Sequence, residues 1–167
     1  MKHLNDYINE SILDTDEIQG NVDKSVVLAW VKRVTPPRFN IDRHITVSDD
    51  GVISCDRWLP LWIYDGETIP EWVRCDVENI IMELDADTII PKDFLPNKLD
   101  HLEIRATGIK KLEFKTTNLE VRICDVAGVK DIIFPKNFKC EELSLIECPP
   151  SCKVKNISKV EKIAYPE

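Results

Sequence analysis

The chain has 167 residues, enough for one domain with a short N-terminal appendage but too few for two large ones. Its 22 Lys and Arg against 30 Asp and Glu leave a formal net charge of −8, a field that repels phosphate backbones and anionic bilayers and argues against a nucleic-acid or membrane partner. No apolar run approaches the roughly 18 to 20 residues that cross a bilayer, and Met1 to Glu10 lacks the continuous apolar stretch of a secretion signal, so a cytoplasmic protein is expected.

Leu4, Tyr7, Ile8, Ser11 and Ile12 recur at helical spacing and predict a short amphipathic helix with a narrow apolar stripe. Asp14 to Glu17 and Gln19 to Asn21 end it in acidic, turn-prone sequence. A helix this short is marginal alone, so its stripe seeks burial on its own domain or on a neighbour. Asp23 or Ser25 can cap a second helix that carries Val27, Trp30, Val31 and Val34 on one side and stops at Pro36-Pro37. Ile41 to Val47 and Val52 to Cys55 then alternate around Asp49-Asp50-Gly51, which predicts a β-hairpin.

From residue 59 a short apolar phrase returns about every 20 residues, beginning at Leu59, Asn79, Leu99, Asn118, Glu142 and Val160. Its L-x-x-L-x-L core, as in Leu99, Leu102 and Ile104, is the pattern by which one strand per turn stacks into a solenoid. A period of two sends Leu102, Ile104, Leu119, Val121, Ile123, Leu143 and Leu145 inward. Between phrases, Asp87 to Pro96 and Ile132 to Phe138 carry proline and asparagine and suit tight turns or 3₁₀ pieces. The outward residues align as one column of Ile81, Glu103, Glu120 and Ser144 and another of Glu83, Arg105, Arg122 and Ile146. With His101 these form the candidate partner-binding face; the same alternation also describes an ordinary solvated sheet face. Trp58, Trp62 and Trp72 gather at the start of the repeats, either as an apolar cap for the open end or as a binding hot spot.

Catalytic constellations are missing. His3, His44 and His101 are widely separated and stand in no catalytic motif, and no glycine-rich loop cradles phosphate. Neither a cofactor nor a metal is expected. The six cysteines recur at repeat spacing like core residues, and Cys148 and Cys152 form the only tight pair, without a second pair or a nearby His. Reduced structural thiols are the expectation, with a thiol enzyme built on Cys148 or Cys152 as the enzymatic alternative.

The repeat half, with rungs such as Leu99 to Arg105 alternating with phrases such as Ile89 to Pro96, resembles the irregular leucine-rich-repeat-like proteins of bacteria and tailed phages. The hairpin Ile45 to Cys55 followed by rungs is similar to the same group. The N-terminus, Met1 to Ser11, resembles the capsid-targeting peptides of phage internal proteins, which are cleaved after Glu in an Ile/Leu-x-Glu setting. That resemblance implies a processing or docking segment of Leu4, Tyr7, Ile8, Glu10 and Ile12, with Glu10 preceding the cut.

The expected architecture is mainly β with N-terminal helices, α+β in class: a short leucine-rich-repeat-like β-solenoid of about five or six rungs, capped by a helix and a β-hairpin. Residues 1–20 form the helical segment and acidic linker, 21–58 the cap and 59–167 the solenoid. The expected function is a non-catalytic protein-interaction module of phage origin, virion-associated or accessory, with a virion or host protein as partner. It would work in the cytoplasm of a bacterial host or in the virion. The alternative is a phage-encoded inhibitor of a bacterial defence or host protein, presenting carboxylates where nucleic acid would sit.

Overall fold

The computed structural model describes residues 22–166; the N-terminal stripe of Leu4, Tyr7, Ile8, Glu10 and Ile12 lies outside the described residues. Helix α1 spans Lys24–Val34. The Asp23 carboxylate accepts the Ser25 amide at 2.7 Å, which satisfies one of the free amides at the helix start. Val27, Trp30, Val31 and Val34 fall on one face and are buried, and that face packs against the first strands of the body. At the other end the Thr35 hydroxyl donates to the Val31 carbonyl at 2.6 Å, and Pro36-Pro37 prevents continuation.

Residues 41–44 depart from the extended reading. Asn40 caps a short helix α2, Ile41–His44, by accepting the Arg43 amide at 3.2 Å. The local cap outcompetes the alternation of Ile41, and strand β1 begins only at Ile45. It runs over Ile45–Val47 and pairs antiparallel with β2, Val52–Cys55, around a turn in which Gly51 takes φ 77°. Strand β2 also pairs in parallel with β4, Arg74–Asp76, so the hairpin joins the body.

That body is a β-solenoid of about five turns in a chain that is mostly β with few helices. Strands β3 (Leu59–Ile63), β5 (Asn79–Leu84), β7 (Lys98–Ala106), β9 (Asn118–Ala127), β11 (Asn137–Ile146) and β13 (Lys159–Ala164) form one parallel sheet in that order. Opposite it lie β6 (Thr88–Ile90), β8 (Lys111–Phe114), β10 (Asp131–Ile133) and β12 (Lys153–Lys155), also parallel. Strands β6 and β10 sit inside the segments expected to be only turns or 3₁₀ pieces. Coil-to-coil register brings them beside β8 and β12, and ladder hydrogen bonds favour extension there.

The long strands turn a corner. In Leu99–Leu102, Val121–Cys124 and Cys140–Leu143, two outward residues separate two buried ones, so the period of two is interrupted by one residue and resumes in the opposite phase. L-x-x-L-x-L is the mark of that corner. It overturns one expectation: Ile123 is the second corner residue and faces outward, half-buried, while Cys124 and Val126 are buried in its place. Leu102, Ile104, Leu119, Val121, Leu143 and Leu145 are all core, at most 1% exposed. Between the sheets Phe134 stacks on Phe138 with centroids 4.2 Å apart and on Phe114 at 5.5 Å.

Candidate interaction face

Register, not sequence spacing, builds the outward face of the long sheet. One row runs Asn79, His101, Ile123, Glu142, Lys162. The next runs Ile81, Glu103, Asp125, Ser144, and the third Trp62, Glu83, Arg105, Ala127, Ile146. Ile81, Glu103 and Ser144 therefore share a row as expected, and so do Glu83, Arg105 and Ile146. Glu120 and Arg122 do not belong with them; Asp125 and Ala127 hold those places. The corner shifts the phase of β9 and carries Glu120 and Arg122 round its bend, where Glu120 joins Lys98, Lys139 and Lys159.

Charges on the face are mutually satisfied. Arg105 places Nε 2.6 Å from Glu103 and Nη1 3.7 Å from Glu83. The Tyr64 hydroxyl donates to Glu83 at 2.6 Å, and desolvation together with that carboxylate pushes the phenol up to about 12. His101 Nε2 lies 2.8 Å from Asp125, both half-buried, and the Trp58 ring packs on the imidazole with centroids 4.6 Å apart. Unbroken alternation from Val121 and Ile123 would turn Asp125 inward; the three-residue spacing Val121–Cys124 is the signal that places it on the outward face.

The three tryptophans do not act alike. Trp58, just before edge strand β3, and Trp62, on it, stay 37% and 39% exposed, whereas Trp72 packs from the loop before β4 against the core. Round the corner a groove of about 1080 Å³ runs across successive coils. Its floor is Leu99, Val121, Cys140 and Val160, and its rims carry Lys98, Glu120, Lys139 and Lys159 on one side and Asp100, Arg122, Glu141 and Glu161 on the other. Arg122 grips Asp100 with two bonds of 2.5 and 2.9 Å and holds that carboxyl below the usual range. Both partners are exposed, so Arg122→Ala should leave the urea midpoint close to that of the parent.

The opposite sheet carries a second ion cluster. Lys111 and Lys115 reach Glu113 at 2.6 and 2.9 Å and lower its carboxyl to about 2. A carboxylate with a depressed folded-state pKa stabilises above its unfolded value and loses that contribution as pH falls. The stability gap between the parent and Glu113→Gln should therefore shrink as pH is lowered from about 4.5 to about 2, measured by unfolding at each pH.

The six cysteines are unpaired thiols, with Cys75, Cys124 and Cys140 buried and Cys55, Cys148 and Cys152 half-buried. Burial raises the Cys75 and Cys124 thiols strongly and takes Cys140 and Cys152 to about 11. Native-state alkylation should thus reach the half-buried three first and Cys75 and Cys124 only on unfolding, read by mass spectrometry of the labelled peptides. His44 is buried 2.9 Å from Asp56, so both described histidines pair with a carboxylate. Among the described residues no three His, Cys, Asp or Glu side chains converge to hold a metal, and no helix is long and apolar enough to cross a membrane. No family model matches this chain, and no curated protein or solved structure matches it.

Proposed function

We propose that the chain is a non-catalytic protein-interaction module whose outward long-sheet face and adjoining groove engage a protein partner. The observation that supports this most directly is the pairing of two exposed tryptophans, Trp58 and Trp62, with a broad rigid surface of ordered charge. Aromatic anchors within a polar surround are the usual composition of a binding hot spot. Parallel ladders hold that surface rigid, so little ordering entropy opposes docking. In this reading the solenoid is of leucine-rich-repeat type, with α1 and the hairpin as its N-terminal cap. Phage origin, and a place in the virion or the host cytoplasm as an accessory protein, rest on the sequence resemblance alone. The net charge of −8 favours a second reading, an inhibitor that occupies a basic site on a bacterial defence or host protein. The thiol-enzyme reading has little support, because the Cys152 thiol is held protonated by burial.

The test is affinity capture from bacterial or infected-cell lysate with the parent and with Arg105→Glu and Trp62→Ser. The variants should unfold within a few degrees of the parent, since both side chains are largely exposed, while recovery of a specific partner falls at least tenfold. Equal recovery by both variants would remove the face from the interaction. A captured nuclease or other nucleic-acid-binding protein would favour the inhibitor reading, and a structural virion protein the first.

A further inference from the structure

The last coil is unlike those before it. Along the solenoid the inward positions Leu99, Val121 and Cys140 are at most 3% exposed, and so are Leu102, Cys124 and Leu143 and, on the other sheet, Leu112 and Ile132. Their successors Val160, Ile163 and Val154 are only half-buried, together with Ile157, Cys148 and Cys152. Strands β12 and β13 are the edges of the two sheets at this end among the described residues. Around this apolar end stand Lys153, Lys155 and Lys159, none within 4.0 Å of a carboxylate among the described residues. In a protein of net charge −8, the last described coil thus presents an apolar surface bordered by Glu161 and by three lysines without a carboxylate partner among the described residues.

We propose that this surface is covered by the chain's own N-terminal segment, residues 1–13. The segment carries the matching chemistry: Leu4, Tyr7, Ile8 and Ile12 recur at the spacing that predicts an apolar stripe, with Asp6 and Glu10 four positions apart between them. Residues 1–13 hold Asp6 and Glu10 against Lys2, and Asp14, Asp16 and Glu17 follow at once, so the segment together with its tether is the acidic complement of the lysine rim. The connection is long enough. Val22 lies beside Gly51 in the hairpin, and the six-stranded sheet separates β3 from β13 by about 24 Å at the usual spacing of neighbouring strands. The residues from Ile8 to Val22 span up to about 46 Å when extended, which covers the width of the sheet and the offset of the hairpin from β3, so the stripe reaches β13 of the same molecule. Docking there buries the exposed ends of the core and places carboxylates against Lys153, Lys155 and Lys159, and it shields two strand edges open to pairing with other chains.

Hydrogen exchange on the full chain, on a deletion of residues 1–20 and on the double variant Leu4→Asp/Ile8→Asp tests this assignment, with light scattering of each to give the mass. Amides of residues 153–155 and 159–164 should exchange at least tenfold faster in both altered proteins, while those of β5, β7 and β9 keep the parent rates. A synthetic peptide of residues 1–20 added to the deletion protein should restore the protection. Unchanged exchange at β12 and β13 in both altered proteins would overturn the assignment. So would a parent that is dimeric and becomes monomeric on deletion, because the segment would then reach a second copy. The double variant keeps the test valid if the deletion protein fails to fold.

Discussion

Replacing Phe134 by Ala is expected to remove about 3 to 5 kcal/mol of unfolding free energy, the range for truncating a buried aromatic. Phe134 is 1% exposed and stacked between Phe114 and Phe138, so the cavity would be lined by side chains held on separate strands. Parallel ladders on both sheets hold these strands in register with their neighbours, and that leaves little room for the site to collapse and recover contacts. For a chain of this size the loss corresponds to a fall in Tm on the order of 10 °C. Urea unfolding with an unchanged m-value would locate the loss in the folded state. Ile89→Ala provides the contrast: its side chain is 52% exposed on the outer face of β6, and the change should stay within about 0.5 kcal/mol. A Phe134→Ala cost equally small would mean that the aromatic column is not the centre of the core.

The second large effect is expected at Gly128. Its φ is 73°, and a Cβ there would run into the carbonyl oxygen of Ala106 on the preceding coil. Gly128→Ala therefore combines left-handed backbone strain, about 1 to 2 kcal/mol, with a clash that only separation of two coils can relieve. The total should exceed about 3 kcal/mol, above the span of most single substitutions. Gly108 shares the conformation, φ 71°, with open space at its Cβ, so Gly108→Ala should show the strain alone. The difference in urea midpoint between the two variants measures how tightly the coils approach. Equal costs would show that the turn at Gly128 can move aside.

What sequence reading reached, and where it stopped, follows from the range of the interactions involved. The Asp23 cap, the α1 stripe and the turn at Gly51 depend on residues within a few positions of one another, and each is legible as a short pattern. The inward placement of Leu102, Ile104, Leu143 and Leu145 is legible for the same reason, since alternation is a property of one strand. Helix α2 escaped because Asn40 is a cap that alternation alone does not reveal. The face was only half legible: Glu103, Arg105, Glu83 and Ser144 fell into their observed rows, but Glu120 and Arg122 were placed beside them wrongly.

The reason is the register. His101 lies opposite Ile123, 22 residues on, yet Ile123 lies opposite Glu142, 19 residues on. These offsets depend on how each turn packs under its coil. By itself the sequence determined a repeating, inward-facing apolar ladder behind a capped helix, because strand alternation and helix capping are local. Only the tertiary structure decided the alignment of the outward rows, the short opposite sheet and the pairing of His101 with Asp125. Those depend on hydrogen bonds and contacts between residues about 20 positions apart, whose alignment no single turn of sequence contains.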